Sequence, residues 1–212
     1  MIDLSTKHLP LPAQTEGTQK DIQDSVTLPT RKEAEAFYAT AKSRLLHVNG
    51  WGALCGDASA GFELTDEKGN RVEGVPKVGC YFKIDVPGPG TASGQGYDWV
   101  QVEAIAEEGD NTTNIQYVII RVRPVSDPTT PNENTAHFFS DKATSNFLVL
   151  REGVEMTAAV LGRNEVANTH QGDGLLDKIR NFVVGTGAKL GMADTQWKSL
   201  VEGILGKRGE FV

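Results

Sequence analysis

The chain has 212 residues, with 21 Lys plus Arg against 28 Asp plus Glu and a net charge of −7. Nothing in it approaches the ~18 consecutive apolar residues of a membrane span, and no basic run offers a phosphate-binding surface. Two cysteines cannot build a disulfide scaffold, and 39% hydrophobic residues are too many for a disordered chain.

These bounds predict one soluble, acidic domain with no membrane span and no nucleic-acid partner. The opening Met1-Ile2-Asp3-Leu4-Ser5 has no basic segment followed by an apolar one, so a cytoplasmic protein with reduced Cys55 and Cys80 is expected. Whether it forms a homo-oligomer stays open.

Residues 1–23 carry Pro10, Pro12 and Gly17 without an apolar period, and read as a flexible arm. The single domain is expected over 24–212, opening with a short strand at 24–28. A helix follows. Thr30 and Glu33 have capping-box spacing, and Phe37, Tyr38, Ala41, Leu45 and Val48 share one face of a 3.6-residue period. Asn49-Gly50 ends it.

From Ser59 to Gly162 the signals are those of strands. Phe62-Glu63-Leu64 runs into a Gly69-containing turn. Cys80, Phe82, Ile84 and Val86 alternate with Tyr81, Lys83 and Asp85. Trp99, Gln101, Glu103 and Ile105 alternate with Val100, Val102 and Ala104. Val118, Ile120 and Val122 share a face, as do Val154, Met156, Ala158 and Val160 across the turn from Phe147. Phe82, Val102, Val118 and Ile120 are expected in the core. Alternation joined by tight turns predicts an antiparallel sheet of six to seven strands with one face covered. After Asp173 the pattern turns helical through Leu175, Leu176, Ile179, Phe182 and Leu190. A second helix carries Trp197, Leu200, Val201 and Ile204.

This order, with Ser25-Val26-Thr27-Leu28, the helix through Phe37 and Tyr38, and Asn49-Gly50-Trp51, resembles the opening of the START and SRPBCC-type helix-grip proteins. The last hairpin running into the helix of Leu175 and Leu190 is similar to their close. The resemblance spans about 24–190 and is architectural, so it transfers no functional residue. It implies an α+β fold in which a sheet, an N-terminal helix and two C-terminal helices enclose a ligand. The rival architecture is a closed β-barrel with flanking helices.

Three functions suit this order. The first is a non-catalytic binder of a small, largely apolar ligand between sheet and C-terminal helix, where Ala158, Ala159, Gly185, Gly187 and Ala188 leave room. The second is an interaction or assembly module using Trp99, which shares the polar parity of its strand, and the Gly-rich loop over 87–96. The third is an enzyme at a polar group of Arg163, Glu165 and His137. Arg163 has the planar fork to clamp an anion, and histidine titrates most readily near neutrality. The candidate ligand-binding residues are therefore Trp99, His137, Arg163, Glu165 and Phe182. No catalytic residue is assigned. The set Glu165, His170 and Asp173 lacks metal-ligand spacing, so neither metal nor cofactor is expected.

Overall fold

The computed structural model describes residues 4, 8–56, 60–85, 94–131, 134–167 and 194–207. Its strands are β1 (Thr18–Thr27), β2 (Gly61–Thr65), β3 (Tyr81–Asp85), β4 (Asp98–Glu108), β5 (Ile115–Pro124), β6 (Thr144–Glu152) and β7 (Glu155–Glu165). They form one antiparallel sheet in the order β1-β7-β6-β5-β4-β3-β2. Because β1 and β2 lie at opposite edges, the sheet is open. The closed-barrel alternative is thereby corrected, and the fold is helix-grip-like α+β. The helices are α1 (Arg31–Leu46), α2 (Trp51–Cys55) and α3 over residues 194–204. The expected helix through Leu175 and Leu190, with Phe182, and most of the Gly-rich loop lie outside the described residues.

Helix α1 starts where the capping box places it. Thr30 Oγ1 accepts the Glu33 N–H at 3.2 Å, and Glu33 Oε2 accepts the Thr30 N–H at 3.1 Å. Its buried side, Ala34, Tyr38, Ala41 and Leu45, packs on the inner face of the sheet. Phe82, Val102, Val118 and Ile120 are all buried in that inner core, as their alternation requires. Trp51 is its hub. The indole N–H donates to the Leu45 carbonyl at 3.0 Å, and the ring centroid lies 5.4, 5.5 and 4.7 Å from those of Phe62, Phe82 and Phe147. Neither Cys55 nor Cys80 is in a disulfide.

The structure corrects three expectations. First, the sheet is covered on both faces. Tyr117, Ile119, Leu148, Leu150, Ala159 and Leu161 form an outer cluster, against which Leu4, Leu9 and Leu11 pack. This is why β5 and β6 read as nearly continuous apolar runs. Second, the first strand is longer than the expected one at 24–28. β1 begins at Thr18, six residues before the expected strand, and ahead of it Leu9 and Leu11 pack on the sheet while Ala13, Gln14, Thr15 and Glu16 bond to Asn164. Third, a bulge at Glu103 breaks the alternation of β4, since Val102 pairs with Val122 but Ala104 with Arg121. The extra residue turns Ile105 onto the inner core.

Helix α3 reaches the inner face through a close approach. A methyl on Gly203 would come within 2.9 Å of the Leu54 carbonyl carbon, so only glycine lets the helix sit against α2. The guanidinium of Arg44 donates to the Ile204 carbonyl at 2.9 Å, satisfying an end that the helix leaves open. Leu200, Val201 and Ile204 are buried beneath it.

Candidate functional site

One end of the inner face is filled by α1 and Trp51. At the other end the sheet and α3 part, and a cavity opens. The space in it that a water-sized sphere can enter is about 40 Å³. Neighbouring strands contribute the floor: Ile84, Asp98 and Val100, Val122, Ser145 and Phe147, and Glu165. His137, Phe138 and Phe139, from the β5–β6 connection, form one wall, and Gln196 and Trp197 of α3 form another. The connection is pinned in place by a bridge between Phe139 and Ala167 and by the Ser140 N–H donating to the Val166 carbonyl at 2.8 Å.

Glu165 enters this cavity because β7 is bulged. Thr18 pairs with Glu165 and Lys20 with Gly162, so two residues of β1 span three of β7. Asn164 takes a left-handed conformation, φ 55°, which asparagine tolerates better than most residues. Strict alternation would put Arg163 and Glu165 on the same face. The bulge separates them and turns Glu165 onto the face of Val160 and Gly162.

The bulge is held from outside. Asn164 Oδ1 accepts the Thr15 N–H at 2.7 Å, the Thr15 hydroxyl at 3.1 Å and the Glu16 N–H at 3.1 Å. Its own N–H donates to Gln14 Oε1 at 2.9 Å, and its amide donates to the Ala13 carbonyl at 3.0 Å. Gly17, at φ 62°, completes the clamp, since a Cβ there would lie 2.5 Å from the Glu165 carbonyl oxygen. The N-terminal segment therefore fixes the backbone that aims Glu165.

Inside, the Glu165 carboxyl lies over Gly162 and beside Ser145, Phe139 and Trp197. Burial pushes it up from the ordinary 4.5 to about 7. Lys20 and Arg163 pull it down, while Asp194 and Asp21 push it further up. Lys20 is itself bonded to Asp194, in a narrower recess on the far side of Glu165.

His137 is buried beside the same cavity. Its Nδ1 accepts the Phe139 N–H at 3.1 Å, which assigns the proton of the neutral ring to Nε2. Its ring stacks on Phe138, centroids 4.6 Å apart.

The other two described candidates lie elsewhere. Arg163 pairs with Asp21 of β1 and donates to the Gly162 carbonyl at 2.7 Å. It is 7% exposed and is absent from the cavity lining, so it does not join Glu165 and His137. Trp99, only 3% exposed, pairs with Lys83 in the ladder on the side opposite Asp98 and Val100. It is covered rather than offered to a partner, as its proximity to the Gly69 turn shows. Phe182 lies outside the described residues.

Sequence reasoning missed Asp98, Ser145, Phe147, Gln196 and Trp197. Asp98 had a signal, since it shares parity with Val100 and Val102. The bulge had only a weak one, an asparagine two residues after a glycine. Among the described residues no group of three metal-ligating side chains forms, and no helix is long and apolar enough to cross a membrane.

No family model and no curated protein matches the chain. Among solved structures it is similar to truncated norcoclaurine synthase from Thalictrum flavum, at 15% identity over 90% of this chain and 99% of that one, TM-score 0.35. It is also similar to ginseng major latex-like protein 151 from Panax ginseng, at 14% identity over 84% and 97%, TM-score 0.33. The Zhui aromatase/cyclase from Streptomyces sp. R1128 aligns at 9% identity over 90% and 93%, TM-score 0.36. Likenesses of this degree carry no chemistry from those proteins to this one.

Proposed function

We propose that the protein is a non-catalytic binder of a small, largely apolar ligand held between the inner face of the sheet and the C-terminal helical region. One observation supports this reading: a cavity whose described lining is mostly aromatic and aliphatic, with a few polar groups, Asp98, His137, Ser145, Glu165 and Gln196. That is the composition of a small-molecule site, in which apolar walls supply affinity and sparse polar atoms fix orientation.

The test uses the neutral fluorophore N-phenyl-1-naphthylamine, with native mass spectrometry of the purified protein for a co-purified ligand. Saturable fluorophore binding, abolished in a folded Ser145→Phe variant that fills the cavity, is the expected result. Equal binding by wild type and Ser145→Phe would place the fluorophore elsewhere and remove the reading.

A second reading, an enzyme, is favoured by one feature. A carboxyl poised near 7 and a buried imidazole border one cavity, and both types serve as general acids and bases. Arg163 has no part in it. Turnover of a bound compound, lost in Glu165→Gln while binding is kept, would decide for it.

A further inference from the structure

We infer that the Lys20–Asp194 ion pair is a latch holding the first turn of α3 against β1, and that Glu165 competes for the same lysine, so that the proton on Glu165 sets how firmly this wall of the cavity is closed. The latch is a feature of the fold and does not depend on what the cavity holds.

The two ends of α3 are fastened to one strand. Lys20 of β1 pairs with Asp194, the first residue of the helix. Just past the other end, Lys207 donates to Asp24 Oδ2 at 2.6 Å and to the Ser25 carbonyl at 2.9 Å. That end has further anchors in the contact of Gly203 with Leu54, the bond from Arg44 to the Ile204 carbonyl, and the buried Leu200, Val201, Ile204 and Leu205. The first turn is less buried. Thr195 and Lys198 are exposed, and Asp194, Gln196 and Trp197 are half-buried. Gln196 and Trp197 are the part of α3 that walls the cavity. The helix can thus pivot on its buried half when its first turn lifts.

Glu165 stands at the latch. Lys20, Glu165 and Asp194 line one recess, in which the space that a water-sized sphere can enter is about 20 Å³. The place of a Cβ on Gly162 is overlapped by Glu165 Oε1 and lies 3.3 Å from the Lys20 carbonyl oxygen, so the carboxyl sits over the backbone of that lysine. Each cation that acts on Glu165 is paired with another acid, Lys20 with Asp194 and Arg163 with Asp21. Ionised Glu165 attracts Lys20 and repels Asp194, and both effects weaken the latch. Neutral Glu165 does neither.

The raised titration of Glu165 agrees. The closed recess withdraws the carboxyl from water, whereas lifting the turn restores water to it and frees Lys20 to pair with it. The closed form therefore binds the proton more tightly, so closure is firmest at low pH and loosens as pH rises toward about 7. Among the described residues, the charged and titratable groups facing Glu165 are Lys20 and Asp21 from β1, Arg163 from its own strand, Asp194 from α3 and, around the cavity, Asp98 and His137. Histidine changes charge in the same range, and a Glu165 variant separates the two.

The experiment is hydrogen exchange of the full chain without ligand at about pH 5.5 and about pH 8, corrected for the intrinsic pH dependence of amide exchange. The amides of Lys198 and Ser199, which donate the first hydrogen bonds of the helix, report the latch. The Leu205 amide, bonded to the Val201 carbonyl at 3.1 Å, and the amides of β6 report the rest of the fold. First-turn protection is expected to be ~3-fold or more lower at the higher pH, with the reference amides changing less. Glu165→Gln should keep the low-pH protection at both values, and Lys20→Met should lose it at both. First-turn protection that is equal at the two pH values overturns the latch. So does an equal fall in Glu165→Gln, an equal fall at the reference amides, or wild-type behaviour of Lys20→Met. Fluorophore binding is measured separately, so the ligand reading stands or falls without the latch.

Discussion

The carboxyl of Glu165 occupies the place where a side chain on Gly162 would begin. A Cβ on Gly162 would overlap Glu165 Oε1 and come within 2.8 Å of its carboxyl carbon. Two residues three apart on one strand share a position because the bulge between them rotates the second onto the face of the first.

Gly162→Ala is therefore expected to displace the Glu165 carboxyl without unfolding the protein, because the end of a flexible side chain can move. The Glu165 titration, read by carbon-13 NMR of its carboxyl, should fall from about 7 toward the ordinary 4.5. A titration unchanged in Gly162→Ala would mean that the side chain relocates within an equally buried place.

Asn164→Ala should cost about 2–4 kcal/mol in chemical denaturation. It loses the hydrogen bonds to Ala13, Thr15 and Glu16 and puts a Cβ without compensation at positive φ. Asn164→Gly keeps the backbone conformation and should recover about 1 kcal/mol of that loss. Equal stability of the two variants would show that the left-handed conformation is not retained.

Deleting residues 1–16 should destabilise the protein, although their polar, proline-containing sequence predicts a dispensable arm. The deletion strips Leu4, Leu9 and Leu11 from the outer face and removes the clamp on Asn164. A loss of about 3–5 kcal/mol, or roughly 10 °C in Tm, is expected from the apolar area exposed. Calorimetry showing the same Tm for both forms would restore the dispensable arm.

Arg163→Met should lower stability by about 1–3 kcal/mol, since it leaves Asp21 without its partner in a partly buried position. Fluorophore affinity should stay within a factor of ~2 of wild type, because Arg163 is outside the cavity lining. Loss of binding at unchanged stability would return Arg163 to the site.

Glu165 also gives stability a pH dependence of known sign. Its folded value lies above its ordinary one, so the folded state binds its proton more tightly than the unfolded state does. The contribution is fully present below 4.5 and is lost as pH rises toward about 7. Screening of this partly solvated group reduces the contribution to about 1–2 kcal/mol. Glu165→Gln should flatten that part of the stability curve. A wild-type and variant difference that does not change across the window would mean Glu165 titrates normally.

The helix of Tyr38 and the strands of Phe82, Val118 and Ile120 were legible in the sequence because their information is local. A capping box satisfies its own helix end, and alternation assigns each strand its buried face. The four-residue turn from Thr30 to Glu33 needs no distant partner, so it reads the same before and after folding. The likeness to a helix-grip arrangement came from the same local signals taken in order.

The site itself was decided by pairing across the sheet. Arg163 and Glu165 are neighbours in sequence with the same parity, and only the register of β1 against β7 inserts the extra residue that parts them. That register depends on Thr15 and Glu16, some 149 positions away, bonding to Asn164. Leu9 and Leu11 look like loop residues until an apolar outer face is there to receive them. Alternation tells which residues share a face of one strand. Where a bulge interrupts it, and what lies on that face, follows from long-range contacts that form only when the chain folds.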